Sequence, residues 1–119
     1  MSGMPFEVYI RATIRKRYPE WNEWEIYEQQ KLQDGSITDF YVVHRNSSGN
    51  VDYGIVIDAK DKRKLEPADI DQILHYSRQC GGVQERVIYI ANDTDVPPTV
   101  QDYADDAEVT ITRTQWRAG

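Results

Sequence analysis

The first periodicity in the chain is helical. Phe6, Tyr9, Ile10, Thr13 and Ile14, continued by Arg17 or Tyr18, recur at three- and four-residue intervals, and Pro5 suits a helix start. This predicts a helix from about Pro5 to Tyr18, ended near Pro19. The period then changes. Trp24 to Leu32 places Trp24, Ile26 and Glu28 on one face and Glu25, Tyr27 and Gln29 on the other, as in a strand. Asp34-Gly35 is a turn signal into a second strand, Ser36 to His44, and the polar cluster Asn46 to Asn50 is another, into a third strand, Val51 to Lys60. Three antiparallel strands in a meander follow. Pro67 opens a second helix with Ile70, Ile73, Leu74, Ser77 and Cys80 inward, closed by Gly81-Gly82. Arg86 to Ala91 is a near-continuous apolar run of strand length, which points to a buried central strand; if it lies parallel to the third strand, the sheet is mixed. A short helix from the Asp95 to Pro98 region through about Ala107 and a last strand, Glu108 to Thr114, complete an α-β-β-β-α-β-α-β order.

Strand alternation puts Gly54, Val56, Asp58 and Lys60 on one face of the third strand. Asp58 and Lys60 thus point the same way at its end. Hairpin pairing brings Asp39, on the second strand, near both. Two carboxylates and an ammonium group at one strand end are suited to holding a divalent cation and a water; the plainer alternative is a structural ion pair at a sheet edge.

Asp39, followed nineteen positions later by Asp58-x-Lys60, resembles the PD-(D/E)XK phosphodiesterase superfamily of restriction endonucleases, junction resolvases and RecB-like exonucleases. Thr38 stands where the family has its proline. Gln72-Ile73-Leu74-His75-Tyr76 resembles the QxxxY helix signature of the RecB-like branch. The resemblance covers roughly Phe6 to Ala91. It implies an α/β, restriction-endonuclease-like mixed sheet flanked by helices, and hydrolysis of phosphodiester bonds, with DNA the expected substrate and RNA the alternative, and with Mg2+ or Mn2+. It also implies metal ligands at Asp39, Asp58 and the Ala59 carbonyl, with Glu7 as a further ligand by likeness to resolvase-like members. By the same resemblance Lys60 is expected to orient the nucleophile and stabilise the phosphorane, and Gln72 and Tyr76 to lean over the site. Each has a bland counterpart. Glu7 complements a helix N-terminus, and Tyr76 packs at the core margin beside a solvated Gln72. The two histidines, His44 and His75, are read as surface residues.

Size and composition narrow the reading. A chain of 119 residues with 39% hydrophobic and 11% aromatic content has enough apolar surface for one core, so residues 1–119 are expected to be a single folded domain. No apolar run approaches the ~18–20 residues of a membrane span and no signal-peptide pattern opens the chain, so a soluble, cytoplasmic protein is expected. The lone Cys80 excludes an internal disulfide and a multi-cysteine zinc site. A net charge of −6 counts against indiscriminate nucleic-acid binding. Local basic clusters remain. Arg11, Arg15, Lys16 and Arg17 form one, and Lys62, Arg63 and Lys64, beside the candidate site, form the one assigned to nucleic-acid contact. So small a domain is expected to act as a homodimer or with a partner protein. Two rivals keep the fold: a non-catalytic module whose acidic body docks a basic protein, and a mobile-element recombination accessory factor active only in a complex.

Overall fold

The structure, a computed structural model, describes residues 4–29 and 39–117. Its elements follow the expected order: α1 (Phe6–Arg17), a 3-10 turn (Glu20–Asn22), β1 (Trp24–Glu28), β2 (Phe40–Arg45), β3 (Val51–Lys60), α2 (Pro67–Gln79), β4 (Val83–Ile90), α3 (Pro98–Asp106) and β5 (Val109–Arg113). The sheet runs β1-β2-β3-β4-β5, antiparallel across the first three strands and parallel from β3 to β5. The mixed sheet is therefore as expected. The Asp34-Gly35 turn and the expected strand residues before Asp39 lie outside the described residues.

The alternation of β3 divides the interior in two. Ile55 and Ile57 join Phe6, Ile10 and Ile14 of α1, whereas Val56 joins Ile70 and Ile73 of α2 and Val100 and Ala104 of α3. Both faces of the sheet are thus covered, which is why β4 is apolar at successive positions from Val87 to Ile90. Each fully buried isoleucine contributes about 1.5–3 kcal/mol through burial. Trp116 closes the α1 layer. Its ring lies 4.9 Å from that of Phe6, and its indole N–H donates to the Met4 carbonyl at 2.7 Å.

Helix α2 is started by side chains as well as by Pro67. The Asp69 carboxylate accepts the Glu66 backbone N–H at 2.8 Å within a capping box. The segment leading to it is sewn to the β4–α3 loop. Leu65 N–H donates to the Asp95 carbonyl, Asp95 N–H to Arg63 and the Thr94 hydroxyl to Lys62, each at 2.8 Å.

Several features differ from expectation: Gln29, expected within the first strand, is a turn residue with φ 50°, and Asp39 lies just before β2 rather than in it. The 3-10 turn at Glu20–Asn22 was not foreseen. Strand β4 begins at Val83 rather than Arg86, because Gly54 and Val83 already pair across the sheet. Tyr76, read from sequence either as packing at the core margin or as leaning over the site, is buried within the α2 layer.

Gly54 explains how β4 can begin so close to Gly82. A Cβ at position 54 meets the Gly82 carbonyl oxygen at 2.9 Å, and backbone does not yield as a flexible side chain does. Gly54→Ala is therefore expected to cost about 1–3 kcal/mol, read as a lower urea midpoint with unchanged slope; an unchanged midpoint would show that this approach is not tight in solution.

Candidate functional site

The candidate site lies where β3 leaves the cover of its two layers. Asp58 is the last fully buried position, 2% exposed, and Ala59 and Lys60 are half-buried. Pairing of Phe40 with Ile57, continued by one residue, sets Asp39 opposite Asp58. Asp39 precedes β2, and its Oδ2 accepts the Ala59 N–H at 2.7 Å. That bond fixes the carboxylate against the Asp58-Ala59 peptide. Its backbone is held too, since the Asp39 carbonyl accepts the Gln29 N–H at 2.6 Å.

Glu7 approaches from the first turn of α1. With Pro5, Phe6, Asp39, Ala59 and Asp61 it lines a cavity of about 310 Å3. Three of these liners are carboxylates and none is basic. Burial raises the Asp39 carboxyl above the ordinary aspartate value of 3.8; the Ala59 N–H and the Lys60 charge pull it back, and the Glu7 carboxylate pushes it further up. Asp61 is the residue that sequence reasoning missed. It sits in the charged connection after β3, and its signal was only its distance of three residues from Asp58.

On the opposite side, Lys60 Nζ donates to Gln72 Oε1 of α2 at 2.6 Å. A neutral amide orients the ammonium group without consuming its charge, and two N–H donors remain for other acceptors. Gln72 is thus brought to the site, whereas Tyr76, four residues along, turns into the apolar layer with Ile73 and Cys80. The expected basic contact surface is divided. Lys62 is engaged by Asp69 at 2.9 Å and Glu66 at 3.1 Å, and these partners raise its pKa; Arg63 and Lys64 are exposed. His44 lies at the other end of β2, bonded to Asp52 at 2.8 Å.

Among the described residues, no three His, Cys, Asp or Glu side chains converge into a ready-made metal cage. Magnesium does not require one. It commonly takes one or two carboxylates and keeps waters on its remaining positions. A cavity walled by Glu7, Asp39 and Asp61, in which one carboxylate already disfavours ionisation of another, suits a hydrated divalent cation.

The order of elements and the mixed sheet between helices define a restriction-endonuclease-like fold. Among solved structures the chain is similar to the crystal structure of a repair endonuclease from Pyrococcus abyssi, with a TM-score of 0.62 and 14% sequence identity. The match covers 96% of this chain and 49% of that one, so the chain spans about half the length of that protein. No family profile and no curated relative matches the sequence.

Two predictions test these assignments. The folded protein holds the Asp39 proton more tightly than the unfolded chain, so this group favours the fold below the ordinary aspartate pKa, and that contribution is lost as pH rises through the raised value. Asp39→Asn keeps an oxygen for the Ala59 N–H and removes the charge. In chelator at pH 7 it is expected to melt above the wild type, with the difference closing toward pH 3; a lower melting temperature at every pH would sink the account. Lys62→Met, which strips a cation from the nearly buried Asp69, is expected to lower stability by about 0.5–1 kcal/mol in thermal melts. A larger effect on the salt dependence of DNA binding than on melting would return Lys62 to the contact surface.

Proposed function

We propose that this protein is a metal-dependent nuclease that hydrolyses phosphodiester bonds in DNA. The observation that carries the reading is the bracket around the end of β3, with Asp39 bonded to the Ala59 N–H on one side and Lys60 bonded to Gln72 on the other. The fold's likeness to a repair endonuclease supports it.

Asp39, Asp58 and the Ala59 carbonyl would hold Mg2+ or Mn2+, with Glu7 as a further ligand. Such an ion would supply a water of lowered pKa and neutralise charge gathering on the phosphate. Lys60 faces the same end of the strand and offers its ammonium to the phosphoryl oxygens, held in direction by Gln72. Tyr76 acts through packing, fixing the helix that carries Gln72. Asp39, accepting the Ala59 N–H, would set the spacing between the two halves of the site. The exposed Arg63 and Lys64, beside this edge, supply contacts to the DNA backbone.

The net charge of −6 makes tight binding to bulk duplex unfavourable. So small a domain has little surface for substrate recognition and would act as a homodimer or through a partner protein. A non-catalytic docking module remains the second reading, favoured by that acidity.

Manganese calorimetry on the wild type and Asp58→Ala, repeated with a DNA oligomer present, separates the two. Binding is expected in the wild type and its loss in the variant. Cleavage is expected to fall at least about 1,000-fold in Asp58→Ala and Lys60→Ala, with circular dichroism unchanged. Metal-independent cleavage, or full activity in both variants, would remove the mechanism; no metal binding even with DNA would favour the docking module.

A further inference from the structure

At the other end of β3, about 20 Å from Asp58 at the usual strand rise, the α1 side of the sheet carries a second cavity, of about 540 Å3. Tyr18, Trp24 and Tyr53 give it aromatic walls, and Asp52 and Glu85 contribute carboxylates. The Trp24 ring stands 6.3 Å from that of Tyr53 at 85°, and 4.9 Å from that of Tyr18 at 59°. Such steeply inclined rings form a corner whose faces carry the negative side of the π quadrupole.

The acidic groups are fixed rather than loose. Tyr53 donates its hydroxyl to Glu85 Oε2 at 2.6 Å, a bond that pushes the phenol up to about 12, and His44 Nδ1 lies 2.8 Å from Asp52 Oδ1. Each carboxylate retains acceptor positions beyond these bonds, and the Asp52 side chain is 43% exposed. The chain itself illustrates the chemistry at the rim. The Arg17 guanidinium lies 5.7 Å from the centre of the Tyr18 ring, and the His44 ring, paired with Asp52, meets the Trp24 ring at 4.9 Å and 64°, which leaves the Tyr53 side of the corner for a further cation.

We propose that this cavity is a recognition pocket for an arginine side chain in a basic segment of a partner protein. A guanidinium is flat, weakly hydrated and able to stack on an indole while donating in plane to a carboxylate. The volume falls in the range of about 300–1,000 Å3 typical of ligand pockets. Charge complementarity selects the occupant. Two carboxylates against one arginine, on a chain of net charge −6, attract a basic peptide and repel a phosphate backbone. The pocket is remote from Asp39, Asp58 and Lys60, so it stands whether or not the chain cleaves DNA.

The test is a titration of the full chain with a short glycine-flanked peptide holding one arginine, followed by the Trp24 indole and Tyr53 amide resonances. Saturable shifts confined to this end of the sheet are expected, absent with the same peptide carrying neutral citrulline. Asp52→Asn and Glu85→Gln preserve shape, and each is expected to weaken binding about three- to tenfold. The proposal is overturned by silence of these resonances, by equal shifts with citrulline, by unchanged affinity in both variants, or by an oligothymidylate that shifts the same resonances more tightly.

Discussion

Strand β3 is covered on both faces, and that double burial governs what the rest of the chain must do. An interior strand between two helix layers has no wet side, so Ile55, Val56 and Ile57 are all fully buried and neighbouring β4 repeats the pattern. A carboxylate is costly in such surroundings. Asp58 is tolerated because it is the last buried residue before the strand emerges, beside the peptide that Asp39 grips. The parallel strands β4 and β5 end at the same edge of the sheet, where α/β folds commonly place ligands. Chemistry and cover are thus separated by a single residue.

Each layer contributes one side of that edge. Helix α1 brings Glu7 to the acidic cavity, and α2 brings Gln72 to Lys60. The segment between Lys60 and α2 cannot wander, because it is bonded to the β4–α3 loop and capped by Asp69 and Lys62. A site assembled from four separate stretches of sequence therefore rests on a frame stitched on both sides. The electrostatic pattern is asymmetric: carboxylates cluster toward α1, while the cation lies toward α2.

Much of this was legible in the chain. The bounds of β3 and the opening of α2 at Pro67 follow from alternation and from turn and cap residues, which are local properties. The pairing of Asp58 with Lys60 on one face is a consequence of a period of two. What stayed hidden depends on contacts between distant residues. Nothing near Val83 announces that Gly54 permits the backbone approach that lengthens β4. Nor does the run Lys62-Arg63-Lys64 disclose that Lys62 is held by Asp69 and Glu66. The helical stripe gave Tyr76 two defensible positions, and packing against Ile73 and Cys80 decided between them. The 3-10 turn depends on Glu23 adopting a left-handed φ of 68°, a conformation that glutamate does not advertise.

The bond from the Trp116 indole to the Met4 carbonyl, with its ring against Phe6, joins the two extremes of the described chain one residue away from Glu7. This is a mechanical linkage. The segment after β5 is thereby tied through one indole to the first turn of α1, which carries a wall of the acidic cavity.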